Sequence, residues 1–533
     1  MASTDVKMSE PRVAQPIEFH DNKSALYHLR HNGRLIVTAL LLSTAYFTFG
    51  YDGSVVGGVI AMPSFIKQFG HASTSGGNIL PATDVSMITS VPVAGSFIGF
   101  LIATWMGDIF GRKKTMWLGC LVSLIGAAIQ TASSNVATIT VGRAFANIAI
   151  MIFLSMTSCF SNEIAPAPVR GAIVGLSIVL IDTASVVTSG VSWGTHENPT
   201  SFAYRLPLGL QVLWPLLIAA GLTFVSDSPT YFLIKGDDNR AYASLRKVRQ
   251  GYTDDEIELE MQSLKYQESL RAEETEVSWF ELFKGTNLRR TMLALSIGNF
   301  QQLSGIAFAT NYATIFLTQI GSSNPYLLVL GLNILSLGGA VCGLFVVDWM
   351  GRRTLALSSF VVLFIIDMVV GGVAFADQTS PIVAKITAAF CLMFGFFFAA
   401  GFGPLTYIIS SEMPTARLRN KTGALTFMSV SLFNMVVTFV LPYIANADEA
   451  NLAAKTYLIF GGWMLGCIII TYFCLPETKG RSPAELDEMF NARVSTRNFR
   501  GYVCAVAPEH VEEAMGKCLS LKAGEGVQIE KLA

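Results

Sequence analysis

Long apolar stretches alternate with short polar ones along most of this chain, and each apolar stretch is long enough to cross a lipid bilayer. A membrane-spanning helix needs about 20 predominantly apolar residues, because each residue advances the helix by about 1.5 Å. The pattern predicts twelve such helices, which we number spans 1 to 12 in chain order. They cover residues 35–59, 85–106, 115–132, 137–160, 172–193, 206–225, 290–318, 326–347, 355–375, 384–410, 422–444 and 455–475.

The polar stretches divide the chain into five segments. An N-terminal tail (1–34) precedes a six-helix bundle (35–225), and a C-terminal tail (476–533) follows a second six-helix bundle (290–475). Between the bundles, residues 226–289 carry charges of both signs and are predicted to form amphipathic helices at the membrane surface or in solvent. The pattern therefore predicts an all-α membrane protein of twelve transmembrane helices.

The composition agrees with a protein whose main surroundings are lipid. Hydrophobic residues make up 52% of the 533 residues and charged residues only 14%, whereas soluble domains have about 25% charged residues. The net charge of −1 argues against nucleic acid as a partner. No catalytic constellation and no metal-ligand spacing is visible, so we expect neither an enzyme nor a bound cofactor.

Lysine and arginine are distributed unequally between the two sides of the predicted bundle. One side carries eleven of them near the spans and the other only Lys67, Arg205, Lys385 and Lys455. Because basic loops stay in the cytoplasm, we expect both termini and the central segment to be cytoplasmic. The first span would act as the targeting signal, and the plasma membrane is the expected location.

Three charged motifs occur twice, in the same order and at nearly the same offset. The second copies follow the first by 240, 249 and 250 residues. This indicates two parallel six-helix pseudo-repeats, an architecture that places the solute site between the halves near the midplane. The paired motifs are Asp108-x-x-Gly-Arg-Lys with Asp348-x-x-Gly-Arg-Arg, Glu163 and Arg170 with Glu412 and Arg419, and Asp227 with Glu477.

Eight sequence stretches resemble the sugar porter family of the major facilitator superfamily, over nearly all of residues 35–490. The resemblance implies the major facilitator fold and transport by alternating access. The second half and the run FNARVSTRNF at 490–499 are most similar to fungal transporters, including those for α-glucosides. The matching stretches are GYDGSVVGG at 50–58, GDIFGRKK at 107–114, VGR at 141–143, EIAPAPVRG at 163–171, QQLSG at 301–305, DWMGRR at 348–353, SSEMPTARLR at 410–419 and PETKGRS at 476–482.

The repeated charges at the cytoplasmic ends of the spans are predicted to form a gate. In the family they cluster, pair across the cleft between the halves and close the inner side. The alternative is that they sit among lipid headgroups and only set the topology. The predicted gate residues are Gly107, Asp108, Gly111, Arg112, Glu163, Arg170, Asp348, Gly351, Arg352, Arg353, Glu412, Arg419 and Glu477.

Four ionisable residues lie inside the predicted spans, where charge is costly and is often functional. Asp52 in span 1 and Arg143 in span 4 fall at similar depth, about two turns from the outer end, so we expect them to pair. Making and breaking that pair would carry a proton with the solute. The resemblance supports this, since proton-coupled sugar porters have Asp and Arg at these places. A static structural pair is the alternative.

The other two intramembrane acids have less clear roles. Asp182 lies about 15 Å along span 5, near the midplane. It fits either a contact to sugar hydroxyls, a second proton site or a protonated acid bonded to a neighbouring helix. Asp367 lies in span 9, which is peripheral in this architecture. A structural hydrogen bond or a shifted span end is the expected explanation for it.

Neutral polar side chains mark the candidate solute site. Gln301 and Gln302 in span 7 carry adjacent amides that can reach different sugar hydroxyls, and the resemblance assigns them to the solute. Asn311 and Tyr312 are candidates for the outer cavity. Tyr407 follows the Gly403-Pro404 break in span 10, and Asn434 lies in span 11. Isolated polar residues of this kind also serve as helix–helix hydrogen bonds.

Four positions depart from the hexose carriers of the family. Where those carriers have amides, this chain has Ile178, Ala307, Ser336 and Val430. We therefore expect the solute to be a mono- or disaccharide, a polyol or a related metabolite, and we do not assume that it is glucose. A proton-coupled sugar importer is the first hypothesis, a carrier of a non-sugar metabolite the second and a non-transporting sensor the third. We expect a monomer in the bilayer.

Overall fold

Helices account for nearly all of the secondary structure in the computed structural model of this chain. The structure describes residues 32–72, 77–249, 251–275, 278–319, 324–376, 380–446 and 448–504. Within these ranges the chain forms the twelve predicted spans, as two six-helix halves of the major facilitator fold. A helix satisfies its own backbone hydrogen bonds, which is why apolar segments of this length cross lipid as helices. The outer parts of both predicted tails lie outside the described residues.

The first half runs from span 1 to span 6. A short helix at Pro63–Phe69 and a two-stranded antiparallel ribbon, His71–Ala72 with Asn78–Ile79, connect the first two spans. Pro92 follows a break in span 2, and span 6 contains a single 3₁₀ turn. The spans are Gly33–Ile60, Ala82–Thr89 continued by Val93–Phe110, Arg112–Ala132, Val136–Ile164, Ala167–Thr195, and Phe202–Gly209 continued by Leu210–Val212 and Leu213–Phe224.

The second half runs from span 7 to span 12, with a break in span 7 and a π-helical turn in span 10. Among the described residues, eleven spans are helices that are long and apolar enough to cross a membrane. Span 7 is the exception among the twelve, because its helix is interrupted after Leu303. The spans are Gly285–Leu303 continued by Phe308–Tyr312 and Ala313–Gln319, Pro325–Met350, Arg352–Val373, Pro381–Phe397 continued by Phe398–Phe402 and Gly403–Glu412, Arg419–Ala445, and Thr456–Cys474.

The central segment is helical, as predicted, and it is attached to the first half. Its elements are Pro229–Ile234, Asp238–Val248, Asp254–Thr275 and a 3₁₀ helix at Trp279–Phe283. Arg249 is buried, donates to Glu260 at 2.6 Å and also donates to the carbonyl of Ile164 at the end of span 4, at 2.7 Å. This buried pair fixes the central helices to the bundle.

The first part of the C-terminal tail packs against the second half. It forms a helix at Pro483–Asn491 and a 3₁₀ helix at Thr496–Gly501. Arg290, near the start of span 7, pairs with Asp487 and lies over the ring of Phe490 at 4.4 Å. Residues 483–501 therefore belong structurally to the second half, although their composition only predicted a polar tail.

The outward surface of the bundle is apolar. Phe224, Trp349 and Phe345 are 87%, 78% and 74% exposed. Large apolar side chains exposed at this density mark a surface that is covered by something other than water. Lipid is that cover, because these side chains lie on membrane-spanning helices.

Candidate functional site

Both Asp-x-x-Gly-Arg motifs lie at one end of the bundle, which we call the motif end, and the opposite end is the far end. In each motif the glycine connects two spans with a positive φ, 94° at Gly111 and 86° at Gly351. A Cβ at Gly111 would lie 2.5 Å from Asp227 Oδ2, and one at Gly351 would lie 2.8 Å from Glu477 Oε2. Only glycine allows both the backbone conformation and the approach of the acid.

The two acids cap the helices that begin after these glycines. Asp227 accepts a hydrogen bond from the backbone of Lys113 at 3.3 Å, and Glu477 accepts from the backbones of Arg352 and Arg353 at 2.8 and 3.2 Å. Negative charge is favourable at a helix N-terminus. Burial raises the pKa of Asp227, while hydrogen bonds from the backbones of Ser228 and Lys113 act in the opposite direction.

The motif arginines form ion pairs within each half. Arg112 Nη2 lies 2.9 Å from Glu163 Oε1, joining spans 3 and 4. Arg352 Nη2 lies 2.9 Å from Glu412 Oε1, joining spans 9 and 10. The predicted clusters thus come together, but these two pairs bind neighbouring spans of one half rather than crossing the cleft. The role of the clusters as a gate stays a prediction.

The remaining predicted gate residues are placed less centrally. The carbonyl of Gly107 accepts from Arg112 at 3.0 Å, and Asp108 lies 3.8 Å from the same arginine but is exposed. Arg353 donates to the carbonyl of Tyr472 at 2.8 Å. Arg419 is exposed. The side chains of Arg170 and Asp348 lie outside the described part of the chain.

Asp52 and Arg143 lie together inside the first half. Arg143 Nη2 is 3.6 Å from Asp52 Oδ2, and the two residues are only 6% and 5% exposed. Arg143 Nε also donates to the carbonyl of Ile88 at 2.9 Å. A buried acid whose charged partner is an arginine 3.6 Å away can change its protonation when that distance changes. Proton coupling by this pair remains a prediction.

Two amides that the sequence reasoning did not single out extend this site. Gln211 in span 6 donates to Asp52 at 3.4 Å and accepts from Gln130 in span 3 at 3.1 Å. Both glutamines are buried. The sequence signal for both is an uncharged polar residue inside an apolar span, the same signal that marks Gln301 and Asn434 in the second half.

Asp182 connects the two halves. Its carboxylate accepts a hydrogen bond from Ser336 Oγ in span 8 at 2.9 Å, and its side chain is half-buried. Tyr407 in span 10 is 38% exposed and lies within electrostatic range of Asp182. Asp182, Ser336 and Tyr407 therefore share a polar region at the interface between the halves, and Ser336 occupies one of the positions where the amide is missing.

The candidate solute residues of span 7 separate into two groups. Gln301 is half-buried and Gln302 is 9% exposed, immediately before the break at Gly305, whose φ is +86°. Tyr312 is 2% exposed and packs against Phe308 with tilted rings whose centroids are 5.4 Å apart, inside the apolar core of the second half. The geometry thus favours packing for Tyr312 rather than the outer cavity. The side chain of Asn311 is not among those that the structure describes.

Neither Asn434 nor Asp367 makes a hydrogen bond to another span within the described part of the protein. Asn434 accepts from Thr438, one turn later in span 11, through its side chain at 3.4 Å. Asp367 is fully buried within span 9, and neither carboxylate oxygen has a hydrogen-bond partner in the described part of the protein. Both expected explanations for Asp367, a shifted span end and a structural hydrogen bond, are therefore wrong in this structure.

The halves also meet at the far end. Ser86 Oγ in span 2 donates to the carbonyl of Phe439 in span 11 at 2.8 Å. Asp448 accepts from the backbone of Ala82 at 3.0 Å. Asn333 in span 8 donates to the Ser189 hydroxyl in span 5. Spans 2 and 11, and spans 5 and 8, are thus hydrogen-bonded across the interface toward this end.

Several curated proteins are similar to this chain. The major facilitator-type transporter ecdD of Aspergillus rugulosus is 29% identical over 465 residues, covering 84% of this chain and 86% of the relative. The general alpha-glucoside permease of Saccharomyces cerevisiae is 28% identical over 477 residues, covering 87% and 76%. The high glucose sensor RGT2 of Saccharomyces cerevisiae is 29% identical over 471 residues, but the match spans only 61% of that sensor's length.

Solved structures show the same fold. The inward open conformation of the xylose transporter XylE from E. coli superposes with a TM-score of 0.71 at 19% identity, over 85% of this chain and 99% of XylE. The proton:xylose symporter XylE bound to 6-bromo-6-deoxy-D-glucose gives 0.68 at 20% identity, over 86% and 100%. The family described as "Sugar (and other) transporter" matches residues 37–490. This chain belongs to that family, the sugar porters of the major facilitator superfamily.

Proposed function

We propose that this protein is a secondary active transporter that moves a sugar or a sugar-like solute by alternating access, in symport with a proton. The observation that carries the proposal is the polar region at the interface between the halves, where Asp182 and Ser336 meet at 2.9 Å. Gln301 and Gln302 lie on span 7 before its break. Neutral amides and hydroxyls are the groups that pair with an uncharged polyol surface.

Alternating access requires two units that each keep their shape while they move against each other. The Arg112–Glu163 and Arg352–Glu412 pairs, with the caps by Asp227 and Glu477, tie neighbouring spans together within each half. The contacts between the halves at Ser86 and Asn333 are hydrogen bonds between uncharged groups. Strong contacts within the halves and weak ones between them support rocking of two rigid bundles.

Proton coupling is assigned to the Asp52–Arg143 pair. While the two groups are 3.6 Å apart, the arginine favours the ionised carboxylate. When the distance grows, Asp52 in its apolar surroundings takes up a proton, because an unpaired buried charge is costly. Gln211 can keep a hydrogen bond to Asp52 in either protonation state, since an amide both donates and accepts. The proton would therefore be bound in one arrangement and released in the other.

The proposed solute class is broader than glucose. The relatives include an alpha-glucoside permease and a transporter named without a sugar. Ile178, Ala307 and Val430 present apolar side chains where hexose carriers of the family have amides. Within the proposed class these three positions favour a disaccharide or a polyol over glucose, and a non-sugar metabolite is the second candidate. A monomer in the plasma membrane, with the motif end in the cytoplasm, completes the proposal.

Uptake into yeast that lacks its own sugar transporters tests this function. The panel contains radiolabelled glucose, xylose, maltose, sucrose, lactose, sorbitol and quinate, each measured with and without a protonophore. Accumulation of at least one sugar or sorbitol that the protonophore abolishes is the expected result. Uptake of quinate alone would favour the metabolite carrier. No uptake of any member, with the protein verified at the cell surface, would overturn sugar transport.

A further inference from the structure

A small polar cavity lies between the halves, on the far-end side of Gln301 and Gln302. Span 1 contributes Ser54 and Gly58, and span 5 contributes Ser189 and Ser192. Spans 7 and 8 close it from the second half with Thr310, Thr314, Tyr326, Val329 and Asn333. Thr310 lies beyond the break at Gly305 and directly precedes Asn311, which the sequence predicted for the outer cavity. The lining includes neither Gln301 nor Gln302, so the cavity is separate from these two central glutamines.

Two hydroxyls of this cavity lack a protein partner. Ser192 is 2% exposed and Tyr326 is 5% exposed, and neither side-chain oxygen makes a hydrogen bond within the described part of the protein. Leaving a buried hydroxyl unpaired costs about 1–3 kcal/mol. The neighbouring polar groups are already used: Ser54 donates to Ser185 at 2.7 Å, and Asn333 donates to Ser189. The hydroxyls of Ser192 and Tyr326 are thus available to bind a ligand.

The chemistry of the lining selects the kind of ligand. The described lining residues offer hydroxyls, one amide and one aromatic ring, with no acidic or basic side chain among them. A charged ligand would lose its hydration without gaining a counter-charge. An uncharged molecule with several hydroxyls can both donate to and accept from serine, tyrosine and asparagine side chains. The cavity is water-sized in this arrangement, so such a molecule fits only when the far end opens.

We propose that Ser192 and Tyr326 form a far-end subsite that binds an uncharged polyhydroxylated solute before it reaches, or after it leaves, the central glutamines. The two residues belong to opposite halves, on spans 5 and 8. A solute bound between them replaces the hydrogen bonds that the halves make here, such as Asn333 to Ser189. This subsite rests on the proposed transport function, and it adds the place where the solute is first recognised from the far end.

Single hydroxyl deletions with matched controls test the subsite. Tyr326→Phe and Ser192→Ala remove the two subsite hydroxyls. Tyr204→Phe and Ser43→Ala are the controls, because these hydroxyls are also buried and unpartnered but do not line the cavity. The half-saturation constants of glucose, maltose and sorbitol are measured for uptake into cells, where solute enters from the far end, and into inside-out vesicles, where it enters from the motif end.

The subsite variants should raise the half-saturation constant for far-end entry about fivefold each, the factor for loss of one neutral hydrogen bond. The constant for motif-end entry should stay within about twofold, and the controls should change neither. Equal changes from both sides, or the same change in the controls, would overturn the subsite while leaving transport intact. Loss of all uptake in the unmodified protein would instead overturn the transport function.

A labelling experiment covers the case in which a variant folds poorly. Ser192→Cys should react with a small water-soluble thiol reagent in intact cells, and maltose, glucose or sorbitol should slow the reaction when the panel shows that the sugar is transported. Ser43→Cys should show no protection by sugar. A Ser192→Cys protein that reacts at the same rate with and without every transported sugar would contradict the proposal.

Discussion

The two halves share one architecture at the motif end and differ in the spans that reach the centre. At the motif end, Gly111 and Gly351 have nearly the same φ, and in both halves an acid just after the last span caps the helix that begins after this glycine. Toward the centre, the first half holds the charged Asp52–Arg143 pair. The second half presents the neutral amides of Gln301 and its neighbour. The two halves thus share the geometry of their motif-end turns, whereas the polar side chains toward the centre differ between them.

The same contrast appears in helix continuity. Spans 1 and 4, which carry the charged pair, are unbroken over 28 and 29 residues. Of their counterparts, span 7 is broken near Gly305, and span 10 contains a π-helical turn at Phe398–Phe402, directly before Gly403-Pro404. A glycine with positive φ and a proline without an N–H group both end regular helical hydrogen bonding. In this comparison the unbroken spans 1 and 4 carry the ion pair, and the broken span 7 carries the candidate solute amides.

The largest expected effect comes from the charged pair. Asp52→Asn removes the proton site but keeps its shape, so proton-driven accumulation should be abolished while exchange of solute across the membrane is partly retained. Accumulation ratios and counterflow in the same cells measure both. Asp182→Asn is the comparison variant, because that acid contacts Ser336 at the interface and not an arginine. Unchanged pH-dependent accumulation in Asp52→Asn would remove Asp52 from the mechanism.

The framework should respond equally in both halves. Gly111→Ala and Gly351→Ala each force a side chain into a positive φ and against a carboxylate, which should cost about 3 kcal/mol and lower the thermal midpoint in detergent. Gly236→Ala is the control, since Gly236 has a φ of +73° but no neighbour within 4 Å. A destabilisation in only one half would break the equivalence of the two turns.

The solute amides should affect affinity with little effect on stability. Gln301→Ala is expected to raise the half-saturation constant about fivefold at unchanged surface expression, because one neutral hydrogen bond is lost. Asn299→Ala is the matched control on the same helix, since its amide donates to Ser429 at 2.8 Å. That variant should lose thermal stability and keep its affinity. Normal uptake kinetics in Gln301→Ala would refute its role in binding.

The smallest effect is expected at the buried acid of the second half. Asp367 has no described hydrogen-bond partner, unlike Asp52, so Asp367→Leu should stabilise the protein by about 1 kcal/mol through removal of an unpaired polar group. Thermal unfolding in detergent measures this, and proton-driven accumulation should remain normal. A loss of accumulation would mean that ion coupling is spread over both halves.

Sequence patterns could predict the spans and the paired motifs because both depend on local signals. Apolar length specifies a span, and Gly111 and Gly351 lie in motifs whose repetition is visible in the chain. The proximity of Asp52 and Arg143 followed from counting turns, since both spans are regular helices. Tyr312 was harder, because the π-helical turn at Phe308–Tyr312 changes the face that it presents. The contacts of Gln211, Ser192 and Tyr326 depend on packing between distant spans, which composition does not encode.

One measurement tests most directly whether Asp52 serves proton coupling and Gln301 serves solute binding. Asp52→Asn and Gln301→Ala are compared in the same cells for two quantities, the accumulation ratio under a pH gradient and the half-saturation constant for the transported sugar. The account predicts that Asp52→Asn loses accumulation with its half-saturation constant nearly unchanged, and that Gln301→Ala loses affinity with its accumulation ratio retained at saturating solute. If both variants change the same quantity, coupling and binding are not divided between Asp52 and Gln301.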